Sequence, residues 1–123
     1  MQQGISTIAY IRITPGPERP QTQGLEGQER RLRAFAQIKR FGVIEIVSEV
    51  APADDPAREG IRRLLQLCKI QKRRILCIAP YILAINPEKR AIIEGQLQTT
   101  GAVIEYLFPK MEKDPAMFRR EHQ

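Results

Sequence analysis

Ile75-Leu76-Cys77-Ile78-Ala79 is the run on which the fold turns. A continuous apolar run leaves no polar face for solvent, so the segment is predicted to be a strand covered on both sides, as in a parallel sheet. Upstream, Ala57 to Gln71 sets Ile61, Leu64, Leu65 and Cys68 at helical spacing and leaves Arg62, Arg63 and Lys69 outside. That helix follows a break at Ala51-Pro52-Ala53-Asp54-Asp55-Pro56, and the break follows Val43 to Val50, a stretch of β-formers read as a strand. Further back, Leu25 to Phe41 carries Leu25, Leu32, Phe35 and Ala36 on one face and ends at Gly42, the pattern of an amphipathic helix. Ile5 to Ile13 (ISTIAYIRI) is a strand that runs into a proline-rich loop over residues 14–24.

Downstream, Asn86 fits an N-cap with Pro87 at the first helical position, and Ile92, Ile93, Leu97 and Gly101 complete a third helix. Ala102 to Phe108 closes as a strand. The order β-α-β-α-β-α-β predicts an α/β fold with a mostly parallel sheet of four to five strands and helices on both faces. The domain is expected over residues 1–108, with a short tail over 109–123 that is frayed or one or two helical turns at most.

The chain's 123 residues, 42% hydrophobic and 28% charged, suit one folded domain and exclude a multidomain enzyme. No apolar stretch approaches the roughly 18 to 20 residues of a membrane span. Met1-Gln2-Gln3-Gly4 lacks the basic and apolar regions of a secretory signal, so a cytoplasmic location is expected, with no membrane contact. Cys68 and Cys77 read as buried thiols, and His122 is the one histidine, so neither metal nor cofactor is expected. A formal charge of +6 suits a nucleic-acid partner, with basic clusters at Glu29 to Arg33, Lys69 to Arg74 and Arg119-Arg120.

In parallel α/β sheets ligands sit beyond the carboxyl ends of the strands, which directs attention to residues just after Ile13, Val50 and the Ile75 strand. No glycine-rich phosphate loop follows the first strand, and no Ser-His-Asp or Cys-His set is present. Asp54-Asp55, flanked by prolines, reads as a solvated turn. What remains is Tyr10, Arg12 and Thr14, with Gln28 on the first helix and Arg58 opening the second.

That group resembles a known family. Tyr10-Ile11-Arg12-Ile13-Thr14 is similar to the Y-x-R-V-S opening of the serine recombinases, the resolvases and invertases. Gly24-Leu25-Glu26-Gly27-Gln28 resembles their S-L-x-x-Q helix start, and the run Ala57 to Leu65 resembles their R-P-G-L-x-x-L-L segment. The resemblance covers residues 5–108 and implies a resolvase-like catalytic domain fold. It also implies DNA recombination through a covalent intermediate, with Thr14 at the nucleophile position, Arg12 and Arg58 catalytic, and Arg12, Gln28 and Arg58 binding the DNA phosphate.

Two departures bear on activity. Thr14 stands where the family has serine, and its extra methyl restricts the rotamer. After the buried strand the family carries K-L-D-R-L-S-R, and here the aligned stretch is Pro80-Tyr81-Ile82-Leu83-Ala84-Ile85-Asn86, without the aspartate or either arginine. If each missing donor costs on the order of 10² to 10³ in rate, losing two arginines costs roughly 10⁴ to 10⁶. The expected function is therefore a degenerate recombinase domain acting as a DNA- or partner-binding accessory, partnered by a homo-oligomer or a full-length recombinase. The alternatives are an active fragment with Thr14 as nucleophile and a protein-interaction module whose Ile78 to Ile85 segment faces a partner. Ile82, Leu83 and Ile85 read either as core or as an exposed patch.

Overall fold

A computed structural model describes residues 5–16, 24–42 and 44–114. Strand β1 spans Ser6–Ile13, helix α1 Leu25–Ile38, strand β2 Ile44–Val50, helix α2 Glu59–Ile70 and strand β3 Arg73–Cys77. A short 3₁₀ turn at Pro80–Ile82 precedes helix α3, Pro87–Thr99, and strand β4, Val103–Tyr106. The sheet is four-stranded and parallel throughout, in the order β2-β1-β3-β4.

Position in the sheet follows from apolar content. Every residue from Thr7 to Arg12 is buried, so β1 needs cover on both faces and lies inside the sheet, paired to β2 and β3. Its register sets Ala9 between Ile46 and Leu76. Right-handed crossovers then place α1 on one face and α2 with α3 on the other, and α2 and α3 pack together. The stripes that meet the sheet are Leu32 and Ala36 of α1, Ile61, Leu64 and Cys68 of α2, and Ile93 and Leu97 of α3. No helix among the described residues is long and apolar enough to cross a membrane.

The apolar run at Ile75 to Ala79 is buried as expected, but its last two residues lie beyond the strand. Ladder pairing extends a little further, with Leu107 and Phe108 donating backbone N–H groups to the carbonyls of Cys77 and Ile78. The reading of Ile78 to Ile85 as a partner-facing surface is corrected here. Ile82, Leu83 and Ala84 are fully buried and Tyr81 nearly so, because the 3₁₀ turn folds the segment against the carboxyl end of β1. The tail is not frayed as far as residue 114: Met111 packs on the core, Asp114 is buried, and Arg90 pairs with Glu112 at 2.5 Å. Pro17 and Pro20 of the loop, Val43, and Arg119, Arg120 and His122 lie outside the described residues.

Candidate functional site

The carboxyl end of β1 delivers Tyr10 and Arg12 to a buried polar cluster on which α1, α2 and the 3₁₀ turn converge. Arg12 is 1% exposed, and its guanidinium is held by oxygen atoms of the chain itself. Its Nε donates to the Ile82 carbonyl at 2.8 Å, and Nη2 donates to the Tyr81 carbonyl at 2.9 Å. Its Nη1 donates to the Ala51 carbonyl at 3.0 Å and to Thr14 Oγ1 at 2.9 Å. Thr14, at the first turn out of β1, thus accepts a charge-assisted hydrogen bond.

Arg58 stands at the N-cap of α2 and is 4% exposed. A cation there opposes the helix dipole, and the side chain resolves the conflict by folding inward. Its Nη1 donates to the carbonyls of Ala53 and Asp55, each at 3.0 Å, and Nη2 donates to those of Ile82 at 3.1 Å and Leu83 at 2.5 Å. Its Nε serves Tyr10 Oη at 2.9 Å and Glu49 Oε2 at 3.2 Å. All five donors of this guanidinium are therefore engaged by internal acceptors. The Ile82 carbonyl accepts from both arginines.

Glu49 is the residue that sequence reasoning missed. Its Oε2 accepts from the Tyr10 hydroxyl and from Arg58, while Oε1 accepts from the Gly60 backbone N–H at 2.8 Å, capping the start of α2. The close approach requires a glycine, because a Cβ at residue 60 would overlap the Glu49 carboxylate. In the sequence Glu49 is one residue in a stretch of β-formers, with no motif to single it out. Burial pushes the Tyr10 hydroxyl well above its ordinary range, the Glu49 hydrogen bond adds to this, and Arg58 opposes it. Burial also lowers the Arg12 guanidinium, with repulsion from Arg58 in the same direction.

Gln28 ties α1 to the strand end, its Nε2 donating to the Arg12 carbonyl at 3.0 Å and its Oε1 accepting from the Arg12 N–H at 3.4 Å. Asp54 lies half-buried on the expected turn, with Asp55 exposed next to it. Asp54 Oδ1 accepts from the backbone N–H groups of Ile85 and Asn86 at 2.8 and 3.0 Å, pinning the far end of the 80–86 segment. The structure thus brings Arg12, Thr14 and Arg58 to one segment of chain and places Gln28 against the Arg12 backbone. Beside the cluster, a groove of about 490 Å³ runs between the end of β2 and the start of α2. Its rim sets Glu49, Asp55 and Glu59 against Arg58 and Arg63, a balance that leans acidic. Among the described residues no group of acids, histidines and cysteines is arranged to hold a metal ion.

The four-stranded parallel β/α sheet is the frame of a resolvase-type catalytic domain. The chain belongs to the resolvase N-terminal domain family, whose description, "Resolvase, N terminal domain", matches residues 7–114. Solved structures of serine recombinase catalytic domains share its fold. The C-terminal catalytic domain of ISC1926 TnpA, an IS607-like serine recombinase, aligns at a TM-score of 0.74 with 24% identity, covering 96% of this chain and 78% of that one. The corresponding domain of IS1535 TnpA aligns at 0.64 with 23% identity, covering 85% and 73%. A serine recombinase from Sulfolobus solfataricus aligns at 0.67 with 18% identity, covering 95% and 77%. No curated protein sequence matches the chain.

Proposed function

We propose that this chain is a serine-recombinase-type domain that contacts DNA without carrying out strand exchange. The observation that carries the reading is the fate of the segment Pro80 to Asn86. Where the family supplies an aspartate and two arginines, this chain has a buried apolar turn whose carbonyls take up the donors of Arg12 and Arg58. Phosphoryl transfer depends on cations aimed at the charge that develops on the transferred group. A phosphate would reach these guanidiniums only by displacing the buried carbonyls that now hold them. In this reading Arg12, Gln28 and Arg58 keep the architecture of the family's phosphate pocket and act chiefly as its scaffold. The IS607-like relatives are transposon recombinases by their printed names, and an accessory role beside such an enzyme, as homo-oligomer or partner, fits the same logic.

A second reading rests on one contact, the hydrogen bond that Arg12 donates to Thr14 Oγ1. A cation on a hydroxyl favours its alkoxide, and in this reading the Thr14 oxygen bonds to the phosphodiester phosphorus with Arg12 and Arg58 in support, while the bond to one sugar oxygen breaks and that oxygen takes up a proton. One experiment separates the two. The protein is incubated with supercoiled and nicked duplex DNA and denatured in detergent before electrophoresis. The first reading expects no detergent-resistant band and an unchanged native shift for Thr14→Ala. A resistant band that Thr14→Ala abolishes would establish the second.

A further inference from the structure

We propose that the amino end of the sheet, opposite the Arg12 and Arg58 cluster, is a docking face for the phosphate backbone of duplex DNA, carried by Lys39, Lys69 and Lys72. The inference deepens the DNA-contacting reading above and rests on it. In a parallel sheet every helix ends at the edge where the strands begin, so the chain just past α1 and α2 shares one end of the molecule. There the described cations are Lys39, Arg40, Lys69, Lys72, Arg73 and Arg74, and the described acids are Glu45 and Glu105. Side-chain contacts tie these residues together. Arg74 lies beside Thr7 and Val103 in the ladder and places its guanidinium 3.8 Å from the Phe41 ring centroid, beyond the end of α1. The Lys72 side chain passes Gly101 at the end of α3.

Both acids are engaged, Glu45 by Arg73 at 3.4 Å and Glu105 by Arg74 at 3.8 Å. Lys39, Arg40, Lys69 and Lys72 are exposed and stand in no ion pair with any described residue. The opposite end carries Glu26, Glu59 and Glu88 in the first turns of its helices, and the groove there leans acidic. Among the described residues the amino end of the sheet thus carries six cations against two acids, whereas the groove at the opposite end carries three acids against two arginines.

Helix dipoles account for only part of it, since Lys69 and the C-cap residue Lys39 stand at helix ends whereas Arg40, Lys72, Arg73 and Arg74 lie beyond them. The dipole favours cations at a helix's C-terminal end, and α3 has none there. The chemistry of the face also selects its occupant. Its described aromatic rings are engaged by cations, Phe41 by Arg74 and Phe35 by Lys39, which disfavours stacking on unpaired bases. Ammonium groups on exposed stems suit a row of phosphates, which they bind as point charges.

The test compares two triple variants of the full chain that remove equal charge. Lys39→Gln/Lys69→Gln/Lys72→Gln strips the proposed face, and Arg30→Gln/Arg33→Gln/Arg62→Gln strips exposed helix flanks. Binding to a labelled duplex is measured across a salt series, with melting curves to verify folding. Each phosphate contact contributes a slope of about 0.9 in log K against log salt, so the face variant is expected to lose about 2.7 in slope and roughly 10²-fold or more in affinity at 0.1 M salt. The flank variant is expected to stay within about tenfold of the unmodified protein. Equal losses in both variants, or an unchanged slope in the face variant, would overturn the proposal. So would an unmodified protein that shows no shift at low salt but sediments as an oligomer that the face variant dissociates. A detergent-resistant band strikes only the non-catalytic reading, and the salt slopes still judge the face.

Discussion

The carbonyl oxygen of Ile82 accepts from Arg12 and Arg58 together, and this one atom joins the first strand, the second helix and the 3₁₀ turn. Removing Arg58 leaves the carbonyls of Ala53 and Leu83 without a donor and Glu49 without its cation. Arg58→Ala is therefore expected to cost about 3 to 5 kcal/mol in urea denaturation, in the range of broken buried pairs. Arg58→Lys should recover little of it, because an ammonium cannot reproduce the planar fork. Alkaline pH tests the same cluster. Burial holds the Tyr10, Tyr106 and Cys77 protons above ordinary values of 10.0 for tyrosine and 9.0 for cysteine. The unfolded chain ionises first, so stability is full below about pH 9 and falls as pH rises through the ordinary values towards the raised ones. A melting series from neutral to strongly alkaline pH is expected to show this decline, less steep in Tyr10→Phe. The sequence marked Arg12, Thr14, Gln28 and Arg58 through their motif. It did not mark their partners, because a backbone carbonyl is the same under every residue type and Ile82 looks only apolar.

At the scale of elements, two glycines in helices call for opposite outcomes. Alanine normally stabilises a helix interior by about 0.5 to 1 kcal/mol over glycine. Gly95→Ala in α3 should gain that amount, since an added Cβ meets nothing there. Gly60→Ala in α2 should instead lose about 1 to 3 kcal/mol, because the methyl displaces a Glu49 carboxylate already held by Tyr10 and Arg58. Thermal melts of the two variants check the contrast. Asn86 caps α3, its side chain accepting from the Lys89 N–H at 3.0 Å, and Asn86→Ala is expected to cost about 1 kcal/mol. The cap and Pro87 were legible because helix starts are set by local chemistry. The 3₁₀ turn was not, since Pro80-Tyr81-Ile82 has no local signal that separates a tight turn from the end of an apolar strand.

Across the whole molecule, alternation of strands and helices was enough to give the parallel sheet, but not its order. The order became fixed only through burial, because a strand covered from Thr7 to Arg12 cannot lie at an edge. The same burial protects both thiols: Cys68 is 2% exposed and Cys77 fully enclosed. Their reaction with a thiol reagent is expected to proceed only as fast as the structure opens, and to accelerate in step with urea-induced unfolding. A rate independent of urea would place at least one thiol at the surface.

The hydrogen bond from Arg12 to Ile82 spans 70 positions of sequence. At synthesis speeds of about 5 to 20 residues per second, that gap lasts roughly 4 to 14 seconds. For that interval the nascent chain presents its most water-averse strand, with a lone guanidinium at its end, before the segment that will enclose them exists. The segment after β3 thus decides when the domain's first strand is safe from wrong partners. Slow codons between Glu59 and Leu83 should raise the insoluble fraction during expression more than slow codons after Tyr106.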